Sequence, residues 1–314
     1  MKRKNQLKCL FLFSGGLDSI LGVKILRLQK NIKIVGVNFK SVFFSEKIAK
    51  EMAKKIKLPL KIIDISEKLI EIVKKPKYGY GKGMNPCLDC RILMLKEAKK
   101  ILKKEKFDFV ASGEVLGERP MTQNKFALKL VEEKSSLKGI LLRPLSAKLL
   151  EETILEKKGL IKRELLLDLQ GRSRKRQILL AQKFKLKKYP TPSGGCLLTD
   201  LNFSKRLKEL LENFPKAKKN DIELLKLGRH FWQKKIKIIV GRNEKENQLL
   251  KKLAQKGDVL IEMENYPGPT TLIRSYEKRK KVSKKALEEG KRLTQNYSSK
   301  AKDKKDIKFK IEKL

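Results

Sequence analysis

The segment KCLFLFSGGLDSILGVKIL, residues 8–26, decides how the chain begins to fold. Residues 8–13 form an apolar run of strand length that stops at two glycines. A run of this kind is typical of a buried strand in a parallel sheet. Beyond the glycines, apolar residues recur at helical spacing from Ile20 to Leu26. The segment therefore predicts a strand, a tight loop and a helix, which together are the first unit of an alternating sheet.

The same alternation continues along the first half of the chain. Four further apolar runs have the length and composition of strands, and helical sequence separates them, as in residues 45–58. The predicted strands after the first are residues 32–39, 59–65, 107–114 and 139–146. Because strands that alternate with helices pair in parallel, we predict an α/β fold, a doubly wound parallel sheet with helices on both faces.

The second half of the chain has a different character. Residues 149–187 are basic and helical in pattern, and another helix pair reaches about residue 231. Three strand-like runs then surround a helix, and the lysine-rich end, residues 277–314, indicates a helix with a last strand. The predicted segments are an α/β domain over residues 1–148, a helical, cysteine-containing segment over 149–221 and an α+β domain over 222–314.

The charge of the chain predicts a polyanionic partner. Its 78 Lys and Arg residues exceed its 35 Asp and Glu residues by 43, the formal net charge at pH 7. Such an excess steers a protein to nucleic acid and makes binding sensitive to salt. No apolar run reaches the roughly 18 residues of a membrane span, and the apolar run near the start is too short for a signal peptide. We expect a cytoplasmic protein with no membrane partner.

The glycine turn has the composition of a phosphate-binding loop. Gly15 and Gly16 let the backbone turn so that successive N–H groups face one concavity at a helix N-terminus. Ser14 and Ser19 add hydroxyl groups, and Asp18 can hold a Mg²⁺ ion that bridges phosphates. The structural alternative is an ordinary glycine turn with an Asp or Ser helix cap. The strand before the turn and the helix after it favour the phosphate loop.

Three of the four cysteines are candidates for chemistry. Cys9 lies within the first predicted strand, where we expect it to pack in the core. The segment NPCLDCRILMLKEAKK, residues 85–100, places Cys87 and Cys90 at the start of a predicted helix. Two glycines directly before Cys196 would let its loop fold close to that pair.

The chemistry of these cysteines is open between two alternatives. A structural disulfide is not expected in a cytoplasmic protein. A zinc site would need a fourth ligand, and the single histidine, His230, lies in another predicted segment. One alternative is a cysteine pair that carries and resolves a persulfide, activated by the helix N-terminus. The other is a 4Fe–4S cluster held by three thiolates, whose open iron binds sulfide.

These motifs together resemble the PP-loop ATP pyrophosphatases. Within them, the chain is most similar to the 2-thiouridylase and 4-thiouridine synthetase groups that thiolate tRNA. The motifs that carry the resemblance are SGGLDS, NPCLDC before a helix, ASG at the end of a strand, PLSAK, GRSRKRQILLA and PTPSGGCLLTD, within roughly residues 8–210. The resemblance implies an adenine nucleotide alpha hydrolase-like fold. It also implies that ATP adenylates a uridine carbonyl oxygen in tRNA and that sulfur then displaces AMP.

The resemblance also implies the roles of individual residues. The implied residues are Ser14, Gly15, Gly16, Asp18 and Ser19 for the phosphates of ATP and Mg²⁺; Ser112 and Gly113 for the nucleotide pocket; Val37 and Phe39 near the adenine; and Cys87, Cys90 and Cys196, with Asp18, for catalysis. The same three cysteines are the expected metal ligands of a 4Fe–4S cluster.

Two departures bear on the mechanism. Cluster-dependent members of the thiolation group mostly carry extra zinc-finger C-x-x-C pairs, which this sequence lacks, so the sulfur donor stays open between sulfide and a persulfide carrier. Residues 1–229 contain no histidine, so Asp18, Asp89 or a thiolate must perform any proton transfer. Asp89, between the paired cysteines, equally fits a helix-capping carboxylate.

Two regions further along the chain are candidates for contact with RNA. Residues 162–188 are either a surface that follows RNA phosphates or a solvated helical face. The basic side chains in question there are Arg172, Arg174, Lys175 and Arg176. Residues 222–314 resemble the NFACT RNA-binding domain through the ordered pattern GRN, EN, L, D, PGP and R, but lack its usual aromatic–His pair. The expected phosphate contacts are Arg242, Arg274, Lys278, Arg279 and Lys280. The alternative is a dimerisation or stability module.

The sequence therefore predicts an ATP-dependent tRNA-uridine sulfurtransferase. Its partners would be tRNA and a sulfur donor, its cofactors Mg²⁺ and a 4Fe–4S cluster, and a homodimer is left open. One alternative is a PP-loop ligase or amidotransferase that adenylates a small molecule, against which the charge argues. The other is a non-catalytic RNA-binding protein, against which the intact loop and the three cysteines argue.

Overall fold

The chain divides into two compact units. The computed structural model describes residues 6–186, 189–190, 195–277 and 281–314. The first unit extends to Thr199 and the second begins at Asp200. The second unit thus begins earlier than residue 222, the predicted start of the last segment. The predicted division into three functional segments stays a prediction.

The first unit contains the predicted parallel sheet. Its strands are parallel and follow the order β3-β2-β1-β4-β5. The strands are β1 (Leu7–Leu12), β2 (Ile32–Lys40), β3 (Leu60–Asp64), β4 (Phe109–Ser112) and β5 (Leu141–Leu142). This arrangement, with flanking helices, confirms the predicted fold class. Cys9 is fully buried in the central strand, so its predicted place in the core is confirmed.

Helices surround this sheet. They are α1 (Leu17–Leu26), α2 (Lys47–Lys55), α3 (Ser66–Lys74), α4 (Cys87–Glu105), α5 (Lys125–Ser135), α6 (Ile154–Lys157) and α7 (Lys175–Lys183). The helical pattern predicted over residues 149–187 is confirmed only in part, because among the described residues after Leu149 helical structure is confined to α6, α7 and one short 3-10 helix, Arg163–Leu165. Gly159 and Gly171 adopt φ values of +64° and +82°, which interrupt a helix.

The second unit contains an antiparallel sheet of order β10-β8-β9-β7-β6. Its strands are β6 (Arg229–Gln233), β7 (Ile236–Val240), β8 (Val259–Met263), β9 (Thr271–Ser275) and β10 (Phe309–Lys313). Its helices are α8 (Leu201–Asn213), α9 (Lys219–Leu224), α10 (Glu244–Leu253) and α11 (Lys284–Asn296). The predicted helix pair is confirmed, but it ends before Arg229, where β6 forms a hairpin with β7 through Lys234 at φ +54°.

Each face of this antiparallel sheet has its own core. Ala286 and Leu293 of α11 pack with Ile261 and Ile273 on one face. Leucines of α9 and α10 pack with Leu272 on the other. Among the described residues, no helix has both the length and the apolar composition needed to cross a membrane.

Candidate nucleotide and cysteine site

The loop between β1 and α1 is shaped by its first glycine. Gly15 has φ +81°, and a Cβ there would lie 2.8 Å from the Ile48 carbonyl oxygen at the start of α2. Gly16 caps α1 with extended backbone. The Ser19 hydroxyl donates to the Gly16 carbonyl oxygen at 2.8 Å, and the Ser14 hydroxyl lies 3.3 Å from that of Ser19. The predicted strand–loop–helix unit is therefore confirmed, and the side chains predicted to hold phosphate stay a prediction.

The end of β4 lies directly against this loop. Ser112 pairs in register with Leu12 at the end of β1 and is fully buried. At Gly113, a Cβ would lie 2.5 Å from the Asp18 carbonyl oxygen and 2.7 Å from the Ser19 Cα. Residue 113 must be glycine for the loop and the strand end to approach this closely. The two segments that the resemblance assigned to the nucleotide site are therefore adjacent, and the role of Ser112 and Gly113 in binding nucleotide stays a prediction.

A buried ion network supports that strand end. Glu114 accepts from the Arg91 Nε at 2.8 Å, the Arg143 Nε at 2.9 Å and the Ser112 hydroxyl at 2.9 Å. Burial alone would raise the pKa of Glu114, but the two guanidinium groups outweigh it and lower the pKa to about 2. Arg143 also pairs with Glu132 of α5. The network joins α4 and α5 to the ends of β4 and β5. Local sequence patterns did not predict this role for its charged residues.

Asp18 lies among charged groups that the sequence did not assign to this site. Its Oδ1 is buried and has no hydrogen-bond partner among the described residues. Burial raises the pKa of Asp18, while the charges of Arg174 and Arg119 act in the opposite direction. Glu118 is also near, because the Asp18 charge adds to the burial that raises the pKa of Glu118. The charges of two arginines and a second carboxylate therefore act on the loop carboxylate.

Residues of β2 reach the same edge of the sheet. Val37 and Phe39 are buried, and the Val37 carbonyl accepts from the Phe13 N–H at 2.8 Å. Between them, Asn38 donates from Nδ2 to the Phe13 carbonyl at 2.9 Å, while its buried Oδ1 has no partner in the described part of the chain. Asn38 is thus a polar group beside the loop that sequence reasoning missed. The proximity of Val37 and Phe39 to adenine stays a prediction.

The paired cysteines begin a helix, as predicted. Cys87 is the first residue of α4 and Cys90 lies one turn further along, with its N–H bonded to the Pro86 carbonyl at 2.8 Å. The Asp89 carboxylate accepts from the N–H groups of Lys77 at 3.3 Å and Tyr78 at 2.9 Å. Asp89 is therefore engaged in fixing the preceding loop to α4.

Cys196 belongs to a turn that backbone hydrogen bonds hold near Cys87 and Cys90. The N–H of Leu197 donates to the Phe43 carbonyl at 2.9 Å, and the N–H of Met84 donates to the Leu198 carbonyl at 3.0 Å. The second bond connects the turn to the loop that leads into Cys87. Gly194, predicted to act as a hinge here with Gly195, lies outside the described residues.

The three thiols influence one another, and all are difficult to ionise. Burial, with smaller contributions from Cys196 and Cys87, raises the pKa of Cys90 to about 12. Burial likewise raises the pKa of Cys196 to about 11, with a smaller contribution from Cys87. Burial also raises the pKa of Cys87, against the charge of Arg119. The predicted activation by the helix N-terminus is therefore outweighed by burial.

The donor set has the chemistry that a 4Fe–4S cluster needs, since three neighbouring thiols can supply three iron ligands. All three are free thiols. However, within the described ranges no group of three or more His, Cys, Asp or Glu side chains is already arranged to hold a metal ion. The predicted metal role of Cys87, Cys90 and Cys196 therefore stays a prediction.

In the second unit, one residue expected to contact RNA has a different role. Arg274 is 5% exposed and binds Asp258 at 2.6 Å and Asp221 at 3.0 Å. The predicted phosphate contact of Arg274 is therefore wrong, because the guanidinium is enclosed in an ion network. Arg242 is half-exposed and pairs with Glu246 at 2.5 Å. The other expected contacts, Lys278, Arg279 and Lys280, lie outside the described residues.

The fold and the loop define the class that the first unit resembles. A parallel sheet whose first strand passes through Ser-Gly-Gly-Leu-Asp-Ser into a helix has the architecture of the PP-loop ATP pyrophosphatases. In the second unit, residues 228–314 match the family described as the NFACT protein RNA binding domain. The match confirms the resemblance predicted for the C-terminal part of the chain.

Two solved structures are also similar to this chain. One, a predicted subunit of tRNA methyltransferase from Methanocaldococcus jannaschii, is 18% identical with a TM-score of 0.37, over 56% of this chain and 76% of that chain. The other, the U34-tRNA thiolase NcsA from Methanococcus maripaludis with its 4Fe–4S cluster, is 18% identical with a TM-score of 0.35, over 71% of this chain and 74% of that chain. No curated protein matches the chain in sequence.

Proposed function

We propose that the chain is an ATP-dependent tRNA-uridine sulfurtransferase. One observation carries the proposal: Arg91, the residue after Cys90 in α4, donates to Glu114 at 2.8 Å, and Gly113, the residue before Glu114, packs on the backbone of Asp18. The phosphate loop and the paired cysteines thus lie on elements that one buried ion pair joins. Nucleotide activation and sulfur chemistry need to take place at one centre, because sulfur must reach the atom that has been adenylated.

The loop residues would bind ATP. Backbone N–H groups at the start of α1, with the hydroxyls of Ser14 and Ser19, would hold the phosphates. Asp18 would hold a Mg²⁺ ion that neutralises phosphate charge. Ser112 and Gly113 would line the pocket, and Val37 and Phe39 would lie near the adenine. The uridine carbonyl oxygen would attack the α-phosphorus, and pyrophosphate would leave with the electrons of the broken bond.

The cysteines would supply the sulfur step. Cys87, Cys90 and Cys196 would hold a 4Fe–4S cluster by three thiolates, and such a cluster supplies an open iron for sulfide. The three thiols are partly buried, which would limit the access of water to the adenylated uridine. Sulfur would then form a bond to the uridine carbon, and the carbon–oxygen bond would break with AMP as the leaving group.

The second unit supports RNA as the substrate. Its match to an RNA-binding domain and the net charge of +43 both favour a polyanion. Neither feature is needed by a ligase that adenylates a small molecule. Folded RNA is recognised largely by shape and phosphate contacts, which suits a chain of this net charge.

The test is ATP cleavage measured with and without tRNA, followed by analysis of the tRNA for thiouridine. We expect AMP and pyrophosphate to form when tRNA and a sulfur source are present. The Asp18→Asn variant should lose AMP formation but keep its tRNA affinity, whereas Asp168→Asn, at an exposed carboxylate paired with Arg176, should keep both. AMP formation without tRNA would favour the small-molecule ligase. RNA binding with no ATP cleavage would favour the non-catalytic protein.

A further inference from the structure

Two buried polar atoms beside the glycine loop lack partners. Asp18 Oδ1 and Arg174 Nε are both inaccessible to solvent, and neither has a hydrogen-bond partner among the described residues. A buried polar atom without a hydrogen-bond partner destabilises a folded protein, so each of these two atoms requires an explanation. A carboxylate oxygen and a guanidinium nitrogen that are both unpaired in the described part of the chain are available to a ligand that satisfies both.

Arg119 and Arg174 lie on two segments that are held together. The Gly171 N–H donates to the Leu116 carbonyl oxygen at 2.7 Å, and Leu116 also pairs with Gln170 in a parallel bridge. Each arginine lies three residues beyond this junction on its own segment. The junction therefore fixes the two arginines relative to one another.

Both segments are also fixed relative to the loop. Helix α7, which begins directly after Arg174, packs on α1. Strand β4 precedes Arg119 and ends at Ser112, and the next residue, Gly113, is in contact with Asp18 and Ser19. Arg119, the adjacent Glu118 and Arg174 thus lie on segments that are tied to the loop of Asp18. This charge pattern complements a polyphosphate with its Mg²⁺ ion, because carboxylates bind the metal and guanidiniums bind phosphate.

We propose that Arg119 and Arg174 bind the β- and γ-phosphates of ATP and retain them as pyrophosphate when the bond to the α-phosphate breaks. This inference rests on the proposed function, and it reassigns Arg174 from the RNA-facing surface to the nucleotide site. The leaving pyrophosphate takes the electron pair of the broken phosphorus–oxygen bond, so its negative charge grows in the transition state. Fixed positive groups at that position stabilise the transition state more than the bound substrate.

The test measures equilibrium binding of Mg·ATP, Mg·pyrophosphate and AMP by calorimetry. The variants are Arg174→Ala, Arg119→Ala and the matched control Arg172→Ala, which removes an exposed arginine two residues from Arg174. Loss of a charge-assisted contact should lower the affinity of the first two variants for ATP and for pyrophosphate about ten- to one hundred-fold. The affinity for AMP should not change, and Arg172→Ala should bind all three ligands as the wild type does.

Several results would overturn the proposal. Arg174→Ala could bind ATP as tightly as the wild type, or it could lose ATP and AMP equally. A weaker affinity for tRNA with unchanged affinity for ATP would show that Arg174 contacts RNA and not the nucleotide. If the alanine variant does not fold, Arg174→Gln replaces it with the same expected loss of pyrophosphate binding, and Arg174→Lys, which keeps the charge, should lose less. If the wild type does not bind Mg·ATP, the proposed function is wrong as well. If the wild type binds Mg·ATP and the arginine variants bind ATP and pyrophosphate equally well, only the proposed arginine site is wrong.

Discussion

Gly113 at the end of β4 touches the backbone of Asp18 so closely that a Cβ at residue 113 would lie 2.5 Å from the Asp18 carbonyl oxygen. The contact is between backbone atoms of two buried elements, so neither side can move aside by a change of rotamer. The position of the phosphate loop on the sheet therefore depends on the absence of a side chain at residue 113.

We expect Gly113→Ala to displace the loop and to abolish ATP binding. Overpacking of this kind costs about 1–3 kcal/mol of stability, which urea unfolding would measure. The control is Gly195→Ala, because a Cβ at residue 195 would have no atom within 4 Å. Gly195→Ala should bind ATP as the wild type does. Normal ATP binding by Gly113→Ala would show that the loop can bind nucleotide without this contact.

How much the sequence could predict depended on whether a signal was local. The strand, the two glycines and the helix of residues 8–26 are adjacent in sequence, so their pattern predicted the loop correctly. Arg119 was not predicted at the site, because a charged residue in an irregular loop has no periodic signal. Its position comes from the hydrogen bond between Gly171 and Leu116, which are distant in sequence.

Arg274 shows the opposite error, because its residue type alone led to the prediction of a phosphate contact. An arginine in a basic domain that resembles an RNA-binding family was a reasonable phosphate contact. Its carboxylate partners, Asp258 and Asp221, lie 16 and 53 residues away in sequence, so no local pattern indicated that the guanidinium would be buried.

The ion network of Arg274 makes a prediction about stability. Arg274→Ala would leave the carboxylates of Asp258 and Asp221 buried without a counter-charge, which costs about 3–5 kcal/mol. Urea unfolding should show this loss. In the matched control, Arg292→Ala removes an exposed arginine paired with Glu289, and we expect no measurable change. If Arg274→Ala is as stable as the wild type and binds tRNA with a smaller dependence on salt, Arg274 contacts RNA phosphate after all.

The single histidine predicts a pH dependence. Burial lowers the pKa of His230 to about 3, and the charges of Lys237 and Arg206 contribute in the same direction. The unfolded chain protonates near pH 6.5, so the unfolded state binds more protons between about pH 6.5 and 3. Stability from this group is therefore complete above pH 6.5 and decreases, by about 1.4 kcal/mol per pH unit, as the pH falls through that window.

This effect can be isolated because the chain has one histidine. We expect the imidazole NMR signals of the folded protein to show no titration between pH 7 and about pH 5. The His230→Gln variant should have a smaller pH dependence of unfolding over the same window. A folded-state titration near pH 6.5 would show that the ring is accessible to water.

The last prediction concerns the three cysteines, which we expect to act as one unit. If Cys87, Cys90 and Cys196 each bind a separate iron, then replacing any one by alanine should abolish the cluster. A persulfide relay needs only two working sulfurs, so one of the three would be dispensable. Burial raises the pKa of all three thiols, so binding of a cluster would have to displace their protons.

Single Cys→Ala variants, reconstituted without oxygen and assayed for iron and for thiolated tRNA, distinguish the two. Cys9→Ala is the matched control, because Cys9 is fully buried within β1 and should keep full iron binding despite a small loss of stability. We also expect iron loading to release protons, which weakly buffered solution would detect. Full iron binding by any of the three variants, or thiolation by wild-type protein stripped of iron, would exclude the cluster and leave the relay.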